Sequence, residues 1–417
     1  MLAAKPRRLS GTNTVSQQDL ALSTIDRAIA APTSIGARLA ATQPASVARV
    51  RLGRRMLGVA VSLAAVFAFA GAPAAQESQP DIHPALPGSL LPIHAALEVA
   101  AFTTQRTPNP ITATCIDPEN KPNAQGGWAR LYGADFRTDT AGKADFGGSM
   151  LELDSETRTR FGILQGGFDH VLCDLDGNGG NLHLGVTGGK IWGSSRQSDP
   201  DPLNGIFGSD IDFDTWFVGP YAAYTRDKLA IQGALRFDHH SLDLSNPTAG
   251  ISAVGIEFDA SSVTGTASVS HDFELGDLTL TPEIGVNVSN TKIDDFGIAG
   301  GTAALDDLWS AIGHAGVTAR TTIAVTDKVF VIPFAAATLY HEFVEDAAAD
   351  LIFGQRTVEV GANRVGTFGQ LGIGANAVRL GNVVTGHPTV FGGARFDLVV
   401  GERIEGATAT VFTRIQF

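Results

Sequence analysis

From residue 128 to the C terminus, apolar and polar positions alternate along the chain with a period of two. Leu278, Leu280, Pro282, Ile284, Val286 and Val288 share one face of such a run; Thr279, Thr281, Glu283, Gly285, Asn287 and Ser289 share the other. Leu229, Ile231, Gly233, Leu235 and Phe237 oppose Gln232, Arg236 and Asp238 in the same way. A helix would mix these faces, whereas a strand keeps them apart. In the last run Ala407, Ala409, Val411, Thr413, Ile415 and Phe417 line one face. Thr408, Thr410, Arg414 and Gln416 line the other, with Phe412 as its apolar exception. An apolar row that ends on a bare aromatic suits the closing strand of a sheet facing lipid. The pattern predicts twelve strands, near 128–137, 158–170, 181–193, 213–225, 229–239, 255–273, 278–290, 308–325, 329–342, 362–379, 383–399 and 403–417. The fold class is therefore all-β, a closed antiparallel transmembrane β-barrel, and the even count puts both barrel ends on the periplasmic side.

The connections alternate in length. Short turns are read at Arg226–Lys228, Leu275–Asp277, Thr326–Lys328 and Leu380–Asn382. Long polar loops are expected at 138–157, 194–212, 239–254, 290–307 and 343–361, the short/long rhythm of outer-membrane barrels. Glycines in the inward rows would leave room for another backbone in the lumen, such as a plug. Arg130, Arg236, Glu283, Arg395 and Arg414 fall inward and read as luminal charges that pair with one another or with a plug.

Composition supports this class. The chain has 48 Gly among 417 residues, only 18% charged residues and a mean hydropathy of +0.09, too low for a helical membrane protein. One segment is continuously apolar, Met56 to Gly71, preceded by Arg49, Arg51, Arg54 and Arg55 and followed by Ala72, Pro73, Ala74 and Ala75. It falls short of the ~20 residues of a spanning helix and reads as a secretory signal peptide cut between Ala74 and Ala75. Residues 1–55 are an extended pre-sequence, or else translation begins at Met56. Residues 1–74 hold nine of the 30 basic and two of the 43 acidic residues, which leaves a net charge of about −20 beyond them. No basic stripe is left for nucleic acid. The acids between 199 and 214 and between 345 and 350 read as solvated loop charges.

Little in the sequence carries chemistry. Cys115 and Cys173 are the only cysteines; both fall on the oxidising periplasmic side and are expected to form a disulfide, with unpaired buried thiols as the alternative. Asp174, Asp176 and Asn178 with Gly179 match the first half of a calcium loop, but Gly185 stands where its bidentate Glu should be, so a hairpin turn explains them better. His239 and His240 are adjacent in a strand and point to opposite faces. His271, His314, His341 and His387 are scattered along strands and read as luminal polar residues. No nucleophile elbow, phosphate loop or His-Glu-x-x-His element occurs, so no catalytic, cofactor or metal site is expected.

Several stretches of the barrel region resemble the C-terminal translocator domain of autotransporter (type V secretion) proteins. They are Gly127-Trp-Ala-Arg-Leu-Tyr-Gly133, Gly219-Pro-Tyr-Ala-Ala-Tyr224 with Leu229 to Phe237, Leu278-Thr-Leu-Thr-Pro-Glu283, Val331-Ile-Pro-Phe334 running to His341-Glu-Phe343, and the Phe417 ending. The resemblance implies a twelve-stranded barrel whose lumen is threaded by an α-helix leading to an exported passenger. Residues 75–127 would be a short linker with a candidate plug helix at Leu90 to Thr104, where Ile93, Ala96, Leu97 and Ala100 recur at helical spacing. That segment leaves no room for a sizeable passenger. The expected protein is a non-enzymatic, monomeric barrel in the bacterial outer membrane, delivered by periplasmic chaperones and the barrel-assembly machinery. Its Val411, Thr413, Ile415 and Phe417 would be the assembly signal. Two alternatives are a small porin-like pore whose acidic lumen favours cations, and a surface adhesion protein acting through its long acidic loops.

Overall fold

The computed structural model describes Ile93 and residues 123–145, 150–175, 177, 179–197, 208–245, 255–298, 301–344, 346–381 and 388–417. Eighteen strands lie within them. In order they are β1 (Asn123–Asp145), β2 (Met150–Leu172), β3 (Asn181–Gln197), β4 (Asp210–Arg226), β5 (Leu229–Ser245) and β6 (Ile256–His271) with its continuation β7 (Phe273–Leu275). There follow β8 (Leu278–Ile293), β9 (Phe296–Ile298), β10 (Gly301–Leu305) and β11 (Leu308–Thr321) with its continuation β12 (Ile323–Thr326). The series ends with β13 (Val329–Glu342), β14 (Asp346–Phe353), β15 (Arg356–Asn363), β16 (Thr367–Arg379), β17 (Thr389–Gly401) and β18 (Ile404–Gln416).

Twelve of these form the wall: β1 to β6, β8, β11, β13, β16, β17 and β18, each antiparallel to the next. β18 returns to β1, from Gly126↔Gln416 to Thr138↔Ile404, so the sheet has no free edge. Closure pairs the backbone groups that hydrocarbon would leave unsatisfied.

The alternation sorts onto the two faces as the sequence pattern indicates. Leu131, Leu164, Val218, Ile284, Leu339 and Val411 are among the large apolar residues exposed on the outside. The outward row from Ala407 to Phe417, at ~3.3 Å per residue and ~40° tilt, covers about 25 Å, the height of a lipid-facing band. Trp192, Trp216 and Trp309 are exposed toward its outer rim, and Phe273 and Phe417 toward its inner rim. These amphipathic and aromatic rings suit the two membrane interfaces.

Three expectations change. The stretches 138–157, 290–307 and 343–361 are in large part strand: β1 and β2 pair as far as Asp145↔Met150, and β9, β10, β14 and β15 are built from the last two. Of 194–212 and 239–254 only the ends 194–197, 210–212 and 239–245 are described as strand, in β3, β4 and β5. The outer β17–β18 connection is a tight turn at Glu402 and Arg403. The inward glycines, finally, are filled from the wall itself. Gly185, Gly189 and Gly193 of β3 stand opposite Tyr221, Phe217 and Phe213 of β4, and a Cβ at any of them would collide with the facing ring. Gly374, Gly393, Gly401 and Gly406 receive Phe334, Phe412, Phe368 and Phe136 in the same way. Each of these aromatics therefore lies over a missing side chain on the neighbouring strand.

Candidate functional site: lumen and outer mouth

Near the periplasmic end, the seam between first and last strands carries a buried network. Arg414 of β18 and Asp169 of β2 are both fully buried and form a bidentate pair, with Nη1 donating to Oδ2 at 2.7 Å and Nη2 to Oδ1. Tyr221 donates its hydroxyl to Asp169 Oδ2 at 2.8 Å, and Trp128 donates Nε1 to the Tyr221 oxygen at 2.9 Å. Gly126 lies beneath the Arg414 guanidinium, where a side chain would displace it. A charge pair taken out of water stands only with such geometry and added hydrogen bonds.

Further round the wall, polar groups hydrogen-bond from strand to strand. Arg130 Nε donates to Gln165 Oε1 at 2.8 Å, and Gln165 Nε2 donates to Thr187 Oγ1 at 2.9 Å. Thr215, His240, Ser262 and Thr291 form a chain of contacts of 2.8, 2.8 and 2.7 Å across β4, β5, β6 and β8. Arg236 pairs with Asp238 at 2.8 Å and stacks over Phe217; Arg395 pairs with Asp397 at 2.6 Å. His314 meets Glu283 at 3.1 Å, and Arg320 meets Asp272 at 2.7 Å. The five residues read from the sequence as luminal charges thus each have a wall partner. Asp169, Asp238, Asp272, Arg320, Asp397 and His314 are their partners or form further pairs beside them. The interior described here balances positive with negative charge and is not an acidic channel.

Other candidates separate. His240 is buried inward, while His239, His271 and His341 face outward, the last with Nδ1 2.7 Å from Thr367 Oγ1. His387 lies outside the described residues. Asp174 belongs to the β2–β3 turn: its carboxylate accepts from the Gly179 amide at 2.6 Å, and its own amide donates to Asn181 Oδ1 at 3.1 Å. Cys173, in the same turn, is disulfide-bonded and packs with Val171 and Ala124. Cys115, Ala74 and Ala75 lie outside the described residues. Ile93 is helical and fully buried.

At the other end the interior turns apolar. Phe136, Ile211, Leu242, Leu244, Ile293 and Ile312 are buried inward on the outer parts of their strands, and Phe258 stacks on Phe296 with centroids 4.3 Å apart. Across this end the sheet continues beyond the wall. β14 and β15 form a hairpin from Asp346↔Asn363 to Phe353↔Arg356. β15 pairs with the tip of β1 at Gly142↔Ala362 through Asp145↔Glu359, and β14 pairs with β10 at Thr302↔Ile352 through Leu305↔Ala349. In strand order, β1 and the β8–β11 connection that carries β10 lie six strands apart in a wall of twelve, on opposite sides. The hairpin is therefore hydrogen-bonded at both sides of the mouth. Ala347, Ala349, Leu351, Phe353, Val358, Val360 and Ala362 are its buried face.

Its root is fixed by one buried carboxylate. Glu342 accepts from Ser310 Oγ, from the Ala311 amide at 2.8 Å and from the Val344 amide at 3.0 Å. Beyond the hairpin, Arg364 donates to the Trp309 carbonyl, and Arg403 donates to the Arg364 carbonyl at 3.0 Å. No linear signal marks this crossing, because it depends on pairings between distant segments.

Comparison with known proteins agrees with this architecture. The autotransporter β-domain family model matches residues 127–385. The β-domain of the Bordetella autotransporter Brka is similar at 18% identity with a TM-score of 0.52, over 70% of this chain and 99% of that one. The transport unit of the Escherichia coli autotransporter AIDA-I is similar at 13% identity with a TM-score of 0.58, over 78% of this chain and 99% of that one. No curated protein matches the chain.

Proposed function

The chain belongs to the autotransporter β-domain family and is an outer-membrane barrel of the translocator type; on that premise we propose that its resting state is sealed. The crossing of β14 and β15 from β1 to β10 carries this reading, and the balanced, ion-paired interior supports it. The family's barrel is not enzymatic in itself. The driving force for export is folding and insertion of the barrel, since closure of the sheet removes unpaired backbone from lipid.

Residues 75–127, freed by signal cleavage between Ala74 and Ala75, are the segment the barrel holds. The complete burial and helical conformation of Ile93 support a helix at Leu90 to Thr104 that enters the lumen. Cys115 is the disulfide partner of Cys173, which ties this segment to the β2–β3 turn. Periplasmic chaperones and the barrel-assembly machinery recognise the outward row Val411, Thr413, Ile415 and Phe417, and the inserted barrel is a monomer.

Conductance across a planar lipid bilayer tests the sealed state. Wild-type protein should be nearly silent. Glu342→Ala, which removes the acceptor at the hairpin root, should give intermittent openings. A steady open current from the wild type would overturn the proposal.

A further inference from the structure

The outward face of β1, β2 and β3 changes character along cross-strand rows. Gly133, Gly162 and Trp192 form one row of the apolar band. The next outward row contains Asp135, Arg160 and Ser194, and the one beyond it Arg137, Arg158 and Arg196. Their side chains remain exposed, at 51% for Arg137, 37% for Arg158, 59% for Arg160 and 65% for Arg196.

Four guanidiniums here meet three carboxylates. Arg158 and Arg160 share Asp135 at 2.7 and 3.1 Å, whereas Arg137–Glu405 and Arg196–Asp210 are looser at 3.6 Å. The loose, exposed pairs of Arg137 and Arg196 contribute little, whereas Arg158 holds Asp135 in two-point contact, Nε at 2.9 Å and Nη2 at 2.7 Å. The adjoining sector is opposite in sign: Asp212, Asp214, Asp243, Glu257 and Asp259 are exposed outward on β4, β5 and β6. Farther out on β1 and β2, Asp139 faces Glu156, and the Asp139 carboxyl is held above its ordinary range by partial burial and by Glu156 and Glu405. The arginines are thus a cationic step between the apolar band and an acidic zone.

We propose that Arg137, Arg158, Arg160 and Arg196 bind the phosphate groups of a glycolipid in the outer leaflet. The headgroup layer begins where the apolar band ends, so lipid phosphates meet the first charged rows beyond it. The guanidinium fork matches a phosphate in two-point contact, and the spacing across three strands suits a headgroup with more than one phosphate. The acidic zone farther out confines the anion to the level of the arginines. This inference rests on the membrane embedding of the barrel and is independent of whether the lumen is sealed.

Native mass spectrometry of the full chain in neutral detergent tests it, with bisphosphorylated lipid A and its dephosphorylated form as probes. Each lost guanidinium should weaken binding about fivefold, so R158Q/R196Q should bind the bisphosphorylated lipid roughly 25-fold less tightly. The charge-matched control R226Q/K228Q, at a periplasmic turn, should bind as wild type. Heat-shifted migration in gels checks that each variant is folded, and R196Q alone, expected to lose about fivefold, serves if the pair does not fold. Three results would overturn the proposal: equal binding of both lipids, unchanged binding by R158Q/R196Q and R196Q, or complete displacement by inorganic phosphate at equal concentration.

Discussion

Arg414 has only two residues after it in β18 and yet is fully buried, because its side chain turns inward onto Asp169. Arg414→Ala would leave the Asp169 carboxylate buried with only the Tyr221 hydroxyl, a loss of about 3–5 kcal/mol. Urea-gradient unfolding in detergent should show this, and Arg414→Met with Asp169→Leu should recover most of it, since an apolar pair replaces an ionic one at little cost. The inward direction of Arg414 was legible in the alternation, but its partner was not: the two lie 245 residues apart and meet only because β18 lies against β1 and β1 against β2. The pairs Arg236–Asp238 and Arg395–Asp397 were legible in principle, being two apart on one strand and hence on one face. The inward glycines were visible without their purpose. Only the register sets Gly185 opposite Tyr221 and Gly189 opposite Phe217.

At the scale of elements, membrane crossings were readable and their outward extensions were not. Past Asp135 both faces of β1 become polar or mixed, with Arg137, Thr138, Asp139 and Thr140 in succession, yet the ladder to β2 continues to Asp145. Hydrophobic alternation marks where a strand meets lipid; hydrogen bonding decides where it ends. The hairpin β14–β15 was hidden for a related reason, as the acids near Asp350 and Glu359 read as loop while Ala349, Leu351, Val358 and Val360 supply a buried face. The β2–β3 turn is where the N-terminal segment is proposed to be tied down. In Cys115→Ser the Cys173 thiol should react with maleimide once the turn is opened by mild denaturant, and wild type should not react without reductant. The lost cross-link should cost roughly 2–4 kcal/mol, felt by residues 75–127 more than by the wall. Proteolysis that leaves this segment as resistant as in wild type, with Cys173 still unreactive, would defeat the pairing.

The wall depends on one seam that joins its first and last strands, β1 and β18, so it does not close until β18 is in place. Phe417 stands at that point in two capacities. Its backbone exchanges hydrogen bonds with Gln125, at 3.1 and 3.4 Å, and its ring, 64% exposed, extends the outward row of Val411, Thr413 and Ile415. If the ring serves recognition during assembly, its removal should slow folding without weakening the finished barrel, because the pairing from Gly126↔Gln416 to Thr138↔Ile404 and the Arg414–Asp169 pair remain. Phe417→Ala keeps the backbone and removes only the ring. In cells it should reduce the rate at which the heat-shiftable, folded form appears by several-fold, while the purified folded protein should unfold within about 1 kcal/mol of wild type, as exposed-site changes do. A variant that assembles at the normal rate but unfolds earlier would make Phe417 a structural girdle residue instead, and the recognition role would pass to the rest of the row.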